Sequence, residues 1–236
     1  ILWTFVAGGF TVYAIRATRA ATVLKDLLTD RFGGTIHCDR AKMYWSLGLD
    51  PAPDPPRHRL QWCWAHLQRD FQALIDSADR QVKRLGHDLM RPTKKLFAIW
   101  ARYREGTITR RGFERLMKPI REEINGLLLR GVSSGNPSLQ GMCEELHGHR
   151  DWLWTFVEEE GIEPTNNASE RSLRHAVIWR KLSFGTQSAG GSRFTERMLT
   201  LVETCRQQSR SCFDFLTQAI KAHFHAQPSS SLLIGP

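Results

Sequence analysis

Glu163-Pro164-Thr165-Asn166-Asn167-Ala168-Ser169-Glu170-Arg171-Ser172-Leu173-Arg174 reads as a turn that opens into a helix carrying one acid among several bases. The Pro-Thr-Asn-Asn run is built of residues that favour turns and helix starts, and Leu173 and Val177 continue at helical spacing. Glu170 is therefore expected in the first turn of a helix. Asn167 followed three residues later by Glu170 has the form of a capping box, in which the carboxylate closes the helix end. A second reading turns the same carboxylate outward as a metal ligand, and the two are compatible, because Asn167 can cap while Glu170 points elsewhere.

Downstream, Gly185-Thr186-Gln187-Ser188-Ala189-Gly190-Gly191 is a loop, and a helix is expected from about Thr195 to Phe224, before a disordered tail over 226–236. Upstream, the pattern is helical almost without interruption from His66. Leu67, Phe71, Leu74 and Ile75, then Leu96, Phe97 and Trp100, then Phe113, Leu116, Met117, Ile120, Ile124, Leu127 and Leu128 recur at helical steps. Residues 67–160 are read as a helical insertion, with a Ser/Gly/Asn/Pro loop over 131–141 and with Trp152, Trp154 and Phe156 as core aromatics near its end.

The first 66 residues alternate strands and helices. Leu2–Val6 and Phe10–Arg16, joined by Gly8-Gly9, form an expected antiparallel hairpin. Thr18 can cap a helix whose Ala20, Val23, Leu24, Leu27 and Leu28 share a face, and Gly33-Gly34 ends it. Thr35–Cys38 is a short strand with Asp39 at its C-terminal end, a place where α/β folds often set functional side chains. Residues 40–47 look helical. Pro51-Ala52-Pro53-Asp54-Pro55-Pro56 is an extended linker, and Arg59–Ala65 reads as a further strand.

Composition narrows the class. At 236 residues with 41% hydrophobic content the chain can bury a sizeable core. A net charge of +9 and a pI near 9.7 favour a polyanionic partner. Five scattered cysteines without paired spacing fit a reducing, cytoplasmic setting rather than a disulfide framework. No apolar run approaches the roughly 18 to 20 residues of a membrane span, so no membrane association is expected. The chain opens inside a strand-like segment without a methionine, from which a missing upstream portion is expected.

Three constellations carry chemistry. Asp39 and Glu170 are a carboxylate pair of the kind that binds divalent metal, although two-metal phosphodiester sites usually gather three or more acids. Cys63-Trp64-Ala65-His66 has the spacing of a half zinc site, but no second pair accompanies it. Cys63 is read instead as a buried strand residue and His66 as a group that caps or orients something at the strand end. From Asn166 to Arg197 there are six basic residues, Arg171, Arg174, Arg180, Lys181, Arg193 and Arg197, against the two acids Glu170 and Glu196. Such side chains would contact phosphates flanking a reacting one.

The chain resembles the DDE-type transposases of bacterial insertion sequences, most closely the insertion-sequence-sixty-six family. The resemblance rests on Glu163-Pro164-Thr165-Asn166-Asn167 with Glu170-Arg171 and Leu173-Arg174, on Trp179-Arg180-Lys181, Phe184-Gly185, Ser188 and Gly190, and on Glu203-Thr204-Cys205-Arg206. Cys63-Trp64-Ala65-His66 with Arg69 and Phe71 adds a second motif, and Asp39 with Tyr44 a third. It implies an α/β fold of RNase H-like type: a mixed sheet whose core is split between 1–66 and 161–225 around the helical insertion. It also implies three carboxylates holding two Mg²⁺ ions, with Mn²⁺ able to substitute, for cleavage and transfer of DNA strands at insertion-sequence ends. Asp39 would be the second acid and Glu170 the third; Arg171, Arg174, Arg180, Lys181 and Arg193 would contact DNA, and Cys63, His66, Asn166 and Asn167 would be auxiliary. A homo-oligomer bound to element ends and target, in the nucleoid, is the implied working form.

Two departures stand out. The family carries an aromatic residue two positions after the second acid, where this chain has Ala41. Its first acid lies on a central strand just before the hairpin, and Asp26 and Asp30, on the first helix, cannot replace it. The expectation is thus a transposase catalytic domain lacking its first central strand, weakly folded or inactive alone. The alternatives are a catalytically dead, non-specific DNA-binding remnant and an RNase H-like nuclease without strand transfer.

Overall fold

The computed structural model describes residues 1–28, 32–48 and 58–233. Asp30 and the proline-rich run over 51–56 lie outside the described residues. The protein is an α/β chain, mostly helical, with two small sheets. It divides into two compact units: residues 1–23 with 167–236, and residues 24–166.

The first unit begins with the hairpin. Strands β1 (Leu2–Ala7) and β2 (Phe10–Ile15) pair antiparallel in a register that sets Leu2 against Ile15 and Ala7 against Phe10. Gly9 takes the left-handed φ of 87° that closes the turn. Helix α1 (Ala21–Leu27) follows, only its Ala21–Val23 belonging to this unit; Thr18 Oγ1 accepts the Ala20 N–H at 3.1 Å ahead of it, so Ala20, and not the expected Thr18, stands at the cap position. The unit is completed by α8 (Asn167–Ser183), α9 (Ala189–Gln207) and α10 (Cys212–Phe224), whose labels follow chain order. The single helix expected from 195 to 224 is two helices, separated where Ser209 adopts a φ of 53°. Residues 226–233 carry no helix or strand, and Gln208 Nε2 donates to Leu232 O at 2.8 Å.

Helix α9 closes the outer edge of β2 with side chains instead of a third strand. Thr204 Oγ1 accepts the Thr11 N–H and donates to Thr11 O, both at 3.1 Å; Thr200 Oγ1 accepts the Tyr13 N–H at 3.0 Å; and Glu196 accepts the Ile15 N–H. Four residues of helix advance about 6 Å, and two residues of strand advance about 6.7 Å. A polar residue at every fourth helical position therefore meets every outward N–H of the strand.

The second unit is built on a parallel pair, β3 (Gly34–Cys38) and β4 (His58–Trp62), with Cys38 opposite Trp62. Between them the chain makes a 3₁₀ turn over Lys42–Tyr44 and a short helix α2 (Trp45–Gly48), where a continuous helix over 40–47 is expected. Helices α3 (Trp64–Ile75), α4 (Arg80–Arg104), α5 (Arg110–Val132), α6 (Pro137–Gly148) and α7 (Thr155–Glu158) account for the helical pattern. The strand expected to reach Ala65 stops at Trp62, because Cys63 is the N-cap of α3. Of the expected core aromatics, Trp154 and Phe156 are buried, as are Trp62 and Trp64, whereas Trp152 is only half-buried, its ring edge-on to Trp62.

Buried β4 carries Gln61, and its amide is fully used. Gln61 Nε2 donates to Trp62 O at 2.7 Å and to Leu153 O at 3.3 Å, while its Oε1 accepts the Phe156 N–H at 2.8 Å. Thr155 Oγ1 donates to Leu60 O at 2.6 Å. A polar residue is thus tolerated at the centre because each of its groups is paired. Among the described residues, no helix is long and apolar enough to cross a membrane.

Candidate active site and basic surface

Asp39 follows the last residue of β3, as its sequence position implies. Its Oδ1 accepts the Ala41 N–H at 2.9 Å, a local turn that ends the strand. The contact is made by the backbone, so Ala41 supplies it without an aromatic side chain. Arg40 then fixes the loop by pairing with Asp70 and with Glu145, each at 3.0 Å. The buried Cys38 thiol beside it is pushed well above its usual range, first by burial and then by the negative charge of Asp39.

The Glu163–Asn166 run is held against this strand pair at three successive residues. Trp64 N–H donates to Pro164 O at 2.9 Å, His37 Nδ1 lies 3.4 Å from Thr165 O, and Asn166 N–H donates to Cys63 Sγ at 3.4 Å. Burial lowers the His37 pKa. Burial acts the other way on Cys63, but hydrogen bonds from the His66 side chain and the Asn166 N–H outweigh it and leave the thiol below its usual range. The Cys-x-x-His motif therefore lies at the start of α3, with Cys63 anchoring the segment that leads into α8. Asn166 Oδ1 is buried with no hydrogen-bond partner among the described residues.

Glu170 lies in the first turn of α8, in the other unit from Asp39. The helix begins at Asn167, so that residue is itself helical and stands one place beyond the cap position expected of it. Arg171, Arg174, Arg180 and Lys181 on α8 and Arg193 on α9 are all exposed, and none has an ion-pair partner among the described residues. Arg171, Arg174 and Lys181, at spacings of three and seven, share one helical face.

A network that sequence reasoning missed supports this helix. Ser172 Oγ donates to Glu203 at 2.8 Å, Arg206 pairs with Glu203 at 2.7 Å, and Tyr13 Oη donates to Ser172 O at 2.7 Å. Glu203 is only 5% exposed, a buried carboxylate made tolerable by these partners. Burial, with the charge of Glu203, pushes the Tyr13 hydroxyl up to about 12. No local signal marks Tyr13, because its partners lie far along the chain.

Asp39 and the orphaned Asn166 Oδ1 in the second unit, and Glu170 in the first, each offer a hard oxygen of the type Mg²⁺ takes. Their number is short: among the described residues, no three or more His, Cys, Asp or Glu side chains are grouped so as to hold a metal.

Comparison with known proteins gives the lineage. The uncharacterized protein y4jO of Sinorhizobium fredii is 28% identical over 155 residues, 65% of this chain and 46% of that protein. The uncharacterized protein y4qI of the same organism is 26% identical over 214 residues, 85% of this chain and 38% of that protein. The chain thus spans less than half the length of these curated relatives. No solved structure matches it. Residues 1–193 match the profile described as Transposase IS66 family, and on that span, well over half its length, the chain belongs to the IS66 family of transposases.

Proposed function

We propose that this chain is the strand-cleaving and strand-joining part of an IS66-family transposase, acting on DNA at insertion-sequence ends. The observation that carries the reading is the family match over residues 1–193, which includes both Asp39 at a strand end and Glu170 in the first turn of a helix. Asp39 and Glu170 are the second and third acids of a triad, and the first belongs to a segment outside residues 1–236. The greater length of the matched relatives is consistent with such a segment.

The hairpin supports an RNase H-like sheet with a further strand. Ile1 and Arg16 exchange backbone hydrogen bonds at 2.6 and 2.8 Å, so the N–H and C=O groups of Leu2, Thr4 and Val6 point away from β2. Among the described residues these groups have no hydrogen-bond partner, and an acid-bearing strand would pair there. In that role Asp39 and Glu170 bind through hard carboxylate oxygens, and the exposed bases of α8 and α9 orient the flanking phosphates. Asp39 and Glu170, with the upstream acid, would hold two Mg²⁺ ions, or Mn²⁺ in their place, which would supply activation of the attacking water or 3′-hydroxyl and stabilisation of the leaving oxygen. A homo-oligomer on paired ends, within the nucleoid, is the working form under this reading.

A second reading, a catalytically inactive, non-specific DNA-binding remnant, is favoured by the lack of three grouped metal-binding side chains among the described residues. The two separate in one assay. Mg²⁺-dependent cleavage of element ends should appear when an upstream Asp-bearing segment is supplied to the chain, and should vanish with Glu170→Gln. Strand joining by the Glu170→Gln protein would end the assignment, and cleavage without joining would make the chain a nuclease.

A further inference from the structure

The first unit contains an open cleft of about 790 Å³, between the open end of the hairpin, the C-terminal half of α8 and the first turns of α9. That volume is of the size that takes a small ligand. Trp179, Arg180, Phe184 and Arg193 line it. Its acid, Glu196, is already engaged, paired with Arg16 at 2.7 Å and accepting the Ile15 N–H. Arg180 and Arg193 are therefore cations without a counter-charge among the described residues.

Phe184 is the feature that the fold does not explain. It is 91% exposed and has a φ of 59°. A helix end often reverses through one left-handed residue, and glycine takes that conformation without strain. Here a phenylalanine takes it immediately before Gly185, which is also left-handed with a φ of 82°. The aromatic ring gains no burial in exchange for the strained backbone. The other left-handed non-glycine residues, Ser209 and Ala226, also follow helix ends but are small; only at Phe184 does the strain fall on a large exposed ring, the kind of position that functional sites hold.

We propose that this cleft binds one unpaired nucleotide of a DNA strand, its base stacked on Phe184 and its phosphate held by Arg180 and Arg193. The proposal rests on the reading of the chain as a DNA-binding transposase and adds a site for an unpaired base. Aromatic faces beside guanidinium groups are how proteins hold single-stranded nucleic acid, since every base has a π face and every linkage an anion. An apolar protein segment on the same surface would desolvate two guanidinium groups and give them no anion.

The test uses the 236-residue chain and two hairpin oligonucleotides, one blunt and one ending in a short overhang that carries 2-aminopurine. The overhang should bind about tenfold more tightly than the blunt duplex, with its fluorescence quenched by stacking. Phe184→Gly should abolish both the preference and the quench while melting no lower than the parent, because glycine accepts the backbone conformation. Phe184→Trp should keep both, and Arg193→Ala should weaken binding of the overhang while leaving residual quenching. Equal affinity for the two oligonucleotides overturns the cleft proposal and leaves DNA binding intact; failure to bind either overturns both. A marked fall in melting temperature with Phe184→Gly would make the ring a packing residue and overturn the proposal. So would a chain dimer that Phe184→Gly dissolves with no change in overhang preference.

Discussion

The thiol of Cys63 accepts the backbone N–H of Asn166 at 3.4 Å, at the last residue before α8 begins. The Cys-x-x-His motif thereby acts on the chain leading to Glu170, without a second pair of zinc ligands. Cys63→Ala should leave the Asn166 N–H without its acceptor, at a cost of about 1–3 kcal/mol, and should speed hydrogen exchange at that amide. The pH dependence has a definite sign. Because the folded state lowers the Cys63 pKa, its contribution is present above the unfolded thiol's pKa and is lost as pH falls through the folded one. The stability difference between the parent and Cys63→Ala should therefore shrink with falling pH across that window, as read by chemical denaturation.

Tyr13 titrates in the opposite sense. Its hydroxyl, raised to about 12 by burial and by Glu203, stabilises the fold fully below the unfolded value near 10 and loses that contribution as pH rises through 12. Two pH units correspond to roughly 2–3 kcal/mol. Tyr13→Phe should cost about 1–2 kcal/mol at neutral pH, through the lost bond to Ser172 O. It should also flatten the alkaline decline between pH 10 and 12. A parent-like alkaline decline in the Phe variant would show that Tyr13 is not its source.

Thr204 is the clearest test of the side-chain edge that α9 gives β2. Its hydroxyl both accepts from and donates to the Thr11 backbone. Thr204→Val keeps the shape and removes both bonds, which should cost about 1–3 kcal/mol in denaturant unfolding because Thr11 is buried. Thr204→Ser should recover most of that loss.

What was legible follows the range of the interactions. The hairpin, the strand ending at Asp39 and the helix starting beside Glu170 are local patterns of alternation, turn residues and helical spacing, and they form where the residues indicate. The β4 boundary was not legible: Trp62, Cys63 and Trp64 are all buried, so an apolar run continues unbroken from strand into helix. Ser209 breaks the last helix in two without glycine or proline to announce it. The Thr204–Thr11 and Glu203–Ser172 bonds join residues distant in sequence, and no periodicity encodes which hydroxyl will meet which backbone group.

Two glycines of α5 should respond oppositely to alanine. At Gly131 an added Cβ would lie 2.2 Å from Cys143 Sγ and 3.0 Å from Leu85 Cδ2, an overlap that the packed helices must open to relieve. Gly131→Ala should destabilise by about 1–3 kcal/mol. At Gly126 an added Cβ meets nothing within 4 Å, so Gly126→Ala should stabilise the helix by about 0.5–1 kcal/mol. Thermal melts of the two variants would separate close packing from helix propensity.

The proposed acids and bases should separate cleanly in DNA measurements. Asp39→Asn and Glu170→Gln remove charge from the proposed metal donors and leave the exposed bases in place. In the chain supplied with an upstream Asp-bearing segment, each should lower Mg²⁺-dependent cleavage by orders of magnitude with duplex affinity almost unchanged, since phosphate contacts dominate that affinity. Replacing Arg171, Arg174 and Lys181 by alanine removes three cations from one face of α8. It should weaken binding evenly across sequences and reduce the slope of log affinity against log salt by about three. If the triple variant kept the parental salt slope, that face would not be the one that meets the phosphates. The role of α8 would then narrow to carrying Glu170 and the Trp179–Arg180 wall of the cleft.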